Sequence, residues 1–192
     1  MNMVSQGRMQ RRRLLIAGTT ASLVPALALA RTPLAKVLGR TIYSDETTQP
    51  GRGLDGQILR PLMQRFAEQE RLTASDAEVA ELESALKLPP PPPGLSQADK
   101  AMLRELPRSM VLQWKVSKAL YQRYGGEVIF QQANPMEPVG AMRRFLEEQE
   151  KAGAFEIYDA GERKRFYDYY VRPQIMVVPK EKVNYEVPWW RK

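Results

Sequence analysis

The sequence predicts a mainly α protein: a small helical domain of five to six helices, with a short strand or extended segments and an irregular C-terminal tail. Three observations carry that reading. Apolar residues recur at three- and four-residue spacing through successive stretches between residues 54 and 171, the period of a helix buried on one face. Ser75/Glu78, Ser96/Asp99 and Asp159/Glu162 place a capping side chain three residues ahead of an acid, the spacing at which a helix start is closed. After Arg172, prolines at 173, 179 and 188 exclude a long helix.

The N-terminal residues 1–30 have the pattern of a secretory signal. Arg11-Arg12-Arg13 ends a basic stretch, an apolar run follows from Leu14 to about Val24, and Ala28-Leu29-Ala30 is a small-x-small cleavage pattern, with the cut expected after Ala30. The same arginines followed by Leu14-Leu15 fit the twin-arginine export pattern, so both that route and the general secretory route stay open. The 17 residues Leu14–Ala30, interrupted by Pro25, are short for a membrane anchor, and no stable span is expected after cleavage. In a bacterium with two membranes, such a protein is expected in the periplasm.

Four further divisions follow: residues 31–88, an N-terminal segment and helical pair; 89–94, a polyproline linker; 95–171, a helical core; and 172–192, an extended C-terminal tail. Val37–Tyr43 is expected as a short strand or turn. Leu54, Ile58, Leu62 and Phe66 share one face of a first helix, with Pro61 either kinking it or lying in its first turn. Ser75 opens a second helix with Val79, Leu82 and Leu86 as its stripe. Pro89–Pro93 form a stiff spacer, with a role as a ligand for proline-reading domains as the alternative. Ser96 opens a third helix that Pro107 ends or restarts. From Arg108 to Tyr124, Met110, Trp114, Ser117, Tyr121 and Tyr124 lie along one side, and Leu112, Val116 and Leu120 along another. Two stripes imply contacts on two sides and a central position. Gly125-Gly126 suit the C-cap. Glu127–Gln132 is a short strand or the start of another helix. A helix from Pro138 to about Gly153 follows, then a last one opened by Asp159. Ile175–Val178 and Trp189-Trp190 imply a tail that packs across the body or ends in a sticky surface.

Composition limits the chemistry. The 192 residues contain no Cys and no His, which excludes disulfides, thiol nucleophiles, a Ser-His-Asp triad and the commonest metal ligand. No Asp-x-Asp-x-Asp loop is present, and no metal or other cofactor is expected. The formal charge is +7, but four arginines and no acids lie in residues 1–30. The remainder carries 25 basic against 22 acidic residues, too even a balance for a nucleic-acid footprint.

Val37-Leu38-Gly39-Arg40-Thr41-Ile42, the amphipathic helix ending near Phe66, and Leu72-Thr73-Ala74-Ser75-Asp76-Ala77-Glu78-Val79 together resemble the N-terminal domain of SurA-type periplasmic chaperones. The likeness spans about Val37 to Leu86. It implies a helical, exported, peptide-binding domain that recognises unfolded outer-membrane proteins. The chain departs from that family in having no room for a parvulin domain, so prolyl isomerase activity is not expected.

The candidate peptide-binding residues are Trp114, Tyr121 and Tyr124 as a groove lining, Glu127, Gln131 and Gln132 as polar partners of a peptide backbone, and Trp189 and Trp190 as a surface contact. Each has a packing alternative: core, turn or helix cap. The expected function is non-catalytic binding of unfolded or envelope polypeptides, as a SurA-like accessory chaperone or assembly factor. The alternative is a carboxylate-dependent enzyme acting on an envelope polymer, with Glu127 and Glu137 as its acid–base pair.

Overall fold

Leu38 and Gly39 both take positive φ, +46° and +86°, the combination that a two-residue hairpin turn requires. In this computed structural model, which describes residues 31–48, 53–87, 92–132 and 135–191, the turn joins Pro33–Val37 (β1) to Arg40–Tyr43 (β2) as an antiparallel pair. The expected signal segment, Pro89–Pro91 of the proline run, and Asn134 lie outside the described residues. Phe155–Ile157 (β3) adds antiparallel to the other side of β1, with Ala35 opposite Ile157 and Val37 opposite Phe155, giving the order β2-β1-β3. Alternation sends Ala35, Val37, Ile42, Phe155 and Ile157 inward.

Leu54–Gln69 (α1) buries Ile58, Leu62 and Phe66, the face its spacing predicts. Pro61 sits inside the helix, beyond its first turn, and the helix runs on through it. Asp76–Leu86 (α2) opens with the expected capping box: the Glu78 amide donates to Ser75 Oγ (3.3 Å) and the Ser75 amide to Glu78 Oε2 (2.9 Å). Val79 and Leu82 are its buried stripe.

The largest departure from expectation is Gln97–Tyr124 (α3), a single 28-residue helix in which Pro107 is interior. An internal proline costs about 3 kcal/mol. Here the ring is fully buried, Ser96 caps the first turn, and Arg108 donates to the Ala74 carbonyl (2.7 Å) and to Asp76 (2.6 Å). Those tertiary contacts hold together a helix that the local sequence would break. Val139–Lys151 (α4) follows, and Ala160–Val171 (α5) begins where Asp159 Oδ1 accepts from the Glu162 amide (2.9 Å). Single 3-10 turns at Lys180–Lys182 and Trp189–Arg191 punctuate the tail.

The helices and sheet enclose two apolar cores. The first gathers Ile58, Leu62, Phe66, Phe145, Phe155 and Phe166 with Val116 and Leu120 of α3. The second gathers Val79, Leu82, Val111, Trp114, Val128 and Met136 with Tyr185 and Trp190 of the tail. The two stripes of α3 thus feed two cores, except that Tyr124 packs with the first and not beside Trp114. The described residues from Arg31 onward form one compact unit. Among them, no helix is long and apolar enough to cross a membrane.

Lys115 ties α3 to the start of α2, donating to the Thr73 carbonyl (2.6 Å) and to both Glu78 oxygens (2.7 and 2.8 Å). Partial burial pushes the Glu78 carboxyl up, but hydrogen bonds from Lys115 and Ser75 outweigh it and bring its pKa down from 4.5 to about 2. A pKa depressed by folding stabilises fully above the unfolded value and is lost as pH falls through the folded one. Glu78→Gln, which can still close the capping box, will destabilise the chain by about 1–2 kcal/mol at pH 7, allowing for the carboxylate's partial exposure. The difference in melting temperature will vanish near pH 2; an equal deficit at both pH values would show that the charge is not the cause.

Candidate functional site

Gly125 (φ +60°) and Gly126 (φ +99°) stop α3 and turn the chain into an extended run. Gly140, at the start of α4, lies against this turn: a Cβ there would come within 2.5 Å of the Glu127 nitrogen. The Gly140 amide donates to the Glu127 carbonyl (3.0 Å), which fixes where the run begins.

Three extended pieces then lie side by side. Ile129 and Glu137 exchange both backbone hydrogen bonds (2.9 and 3.0 Å). On the other side of Ile129, Phe130 N–H donates to the Met176 carbonyl and Val178 N–H to the Val128 carbonyl, both at 2.8 Å. Ile129 and Val177 are therefore a non-hydrogen-bonded antiparallel pair, and the Val177 N–H and C=O point away from the sheet. Among the described residues nothing pairs with that outer edge.

Side-chain parity divides the two faces. Val128 and Met136 face the second core, with Val178 packed against it. Ile129, Gln131 and Glu137 share the opposite face. Phe130 and Met176 have the parity of the core face but extend past it, and are 48% and 53% exposed. Val177 is 46% exposed and Ile175 95%. Four adjacent apolar side chains thus stand in water around an unpaired strand edge, an arrangement that isolated proteins ordinarily blunt.

On the opposite face, Tyr169 OH donates to Glu137 Oε2 (2.8 Å) and accepts from Gln131 Nε2. Burial pushes the Glu137 carboxyl up, and the Tyr169 hydrogen bond opposes this. Burial and the adjacent Glu137 push the Tyr169 hydroxyl above its ordinary value. This network braces the small sheet against α5; it holds no ionisable hydroxyl near neutral pH.

The aromatic residues expected to line a groove are placed differently. Trp114 and Trp190 are buried in the second core, and Tyr121 is half-buried there. Tyr185 stacks between Trp114 (5.1 Å) and Tyr121 (5.0 Å), and Trp190 meets Trp114 edge-on. Tail residues Tyr185 and Trp190 pack on these aromatics, which form a closed cluster and not an open groove. Trp189 is half-buried beside Trp190. Tyr124 belongs to the first core and donates to Glu148 (2.9 Å). Gln131 braces Tyr169, while Gln132 is exposed.

Glu127 is exposed and lines a cavity of about 500 Å³ with Arg143, Arg144, Glu147 and Arg172. Glu137 is not part of that lining, so the two carboxylates expected as an acid–base pair do not share a cavity. Arg143 is held by Glu147 (2.8 Å) and Arg144 by the Tyr124 carbonyl. Among the described residues, no cluster of three or more carboxylates is placed to hold a metal ion.

Sequence reasoning passed over Phe130 and treated Ile175–Val178 only as a packing or sticky segment. The readable signal was the apolar run itself, bounded by Pro173 and Pro179. No family model, curated protein or solved structure matches the chain.

Proposed function

We propose that the chain is an exported, periplasmic, non-catalytic polypeptide-binding protein, a SurA-like accessory chaperone or envelope assembly factor, that holds extended client segments along the edge at residues 175–178. The observation that carries this is the open apolar edge at Val177. A client strand laid there gains hydrogen bonds from the Val177 N–H and C=O, and its alternate side chains meet Ile175 and Val177 on one face and Met176, with Phe130 on the strand behind it, on the other. The secretory pattern of residues 1–30, the absence of His and Cys, and the SurA-type likeness over Val37–Leu86 support the same reading. Pro173 and Pro179 keep the edge short. Short pairing means weak, reversible capture, which suits a protein that releases its clients unchanged.

Val177→Pro tests this. Its N–H has no partner within the described fold, so a proline removes a donor that only a bound strand would use, and its ring blocks the approach. The variant will melt close to wild type but will bind β-prone peptides at least about tenfold more weakly, the loss of one hydrogen bond plus a steric block. It will also lose suppression of the aggregation of an unfolded outer-membrane protein. Val177→Ala serves as the control. If Val177→Pro binds and protects as well as wild type, the edge is not the site.

A further inference from the structure

Charge around the open edge narrows the kind of polypeptide it would take. Arg172 stands just before the edge; Lys180 and Lys182 stand just beyond it, in the turn that follows Pro179. All three are exposed. Neither lysine has an ion-pair partner among the described residues, and the Arg172 guanidinium, also without one, lies 5.5 Å over the Tyr169 ring. Glu181, between the two lysines, is the one acid from 172 to 182. The edge is thus an apolar strip with a cation at one end and a net cation at the other.

The same charges disfavour a second copy of this chain as the occupant. A two-fold antiparallel pairing about Val177 brings the Arg172 end of one copy beside the Lys180–Lys182 end of the other. Cations would then lie near cations at both ends of the joint strip, and like charges brought together repel. An extended segment with apolar residues at its centre and Asp or Glu at its ends meets the opposite situation at both ends.

Resting on the edge-binding reading above, we infer that the site selects extended apolar segments flanked by acidic residues. Three peptides with one β-prone apolar core would be titrated against the purified protein by fluorescence anisotropy, with ends of aspartate, serine or lysine. The aspartate peptide will bind about tenfold more tightly than the lysine peptide, the sum of several exposed charge contacts. The gap will close in about 1 M salt, where the screening length is about 3 Å, and in the triple variant Arg172→Gln/Lys180→Gln/Lys182→Gln. Equal binding of all three peptides would overturn the charge preference while leaving edge binding standing. Failure of all three would overturn both. Concentration-dependent dimerisation abolished by Val177→Pro would make a second copy the occupant and overturn the preference as well.

Discussion

Gly140→Ala will lower the stability of the chain by about 3 kcal/mol, the upper range for forced overpacking, and so its melting temperature by roughly 6–12 °C for a domain of this size. Taken alone, glycine to alanine inside a helix would stabilise by about 1 kcal/mol. The sign reverses because an alanine Cβ at Gly140 would lie 2.5 Å from the Glu127 nitrogen and 3.1 Å from Gly126, and both neighbours are backbone. Neither can swing aside as a side chain would. Gly153→Ala is the comparison: nothing lies within 4 Å of its added Cβ among the described residues, so it bears only the strain of a left-handed φ of +71° at the end of α4, about 1 kcal/mol. Thermal denaturation of the two variants checks this. Equal losses would mean that the Gly126–Gly140 contact does not set the packing. The contact also fixes the start of Val128–Phe130, to which residues 176–178 are bonded. On the edge-binding proposal, Gly140→Ala will therefore weaken peptide capture along with stability.

What could be read locally was read correctly. Ser75, Ser96 and Asp159 each cap a helix from sequence neighbours three residues away, and the structure has all three. The double stripe of α3 needed only helical periodicity, and it does face two cores. The misses share one cause: the deciding contact was distant in sequence. Pro107 breaks a helix by local rules, yet its burial and the Arg108 bonds to Ala74 and Asp76 keep α3 whole. β3 is three residues long, too short for a period, and exists because β1 offers it an edge. Gly126 reads locally as half of a C-cap, and its close approach to the Gly140 backbone is a contact across fourteen residues. Trp114 and Trp190 carry interface-type chemistry, and nothing near either in sequence says that the tail folds back to bury both. The tail after Arg172 is expected either to pack across the body or to end in a sticky surface, and its apolar residues divide between burial and exposure. Tyr185 and Trp190 pack, while Ile175, Met176 and Val177 stay in water.

Trp190→Ala will cost about 3–4 kcal/mol, as for other large aromatics cut back to alanine in a core. The indole packs on Trp114 and Trp189 and closes the second core. Between Val183 and Arg191, the tail's attachment rests mostly on side chains. Tyr185 OH donates to the Met136 carbonyl (2.6 Å), and Arg191 forms an exposed bidentate pair with Glu81. An exposed pair of that kind contributes about 0–1 kcal/mol, so Arg191→Ala will be nearly silent by comparison. Trp190→Phe separates ring from hydrogen bond. Among the described residues the buried indole N–H meets no acceptor, so phenylalanine keeps much of the packing without breaking a hydrogen bond to them. Its cost will be about 1 kcal/mol, well below that of alanine. Peptide titrations below the melting transition complete the comparison. Residues 176–178 are bonded to Val128 and Phe130 independently of Trp190, so on the edge-binding proposal Trp190→Ala will retain peptide capture while losing stability. Lost binding at unchanged melting temperature would return Trp190 to the role of a ligand contact and move the site from the edge to the aromatic cluster.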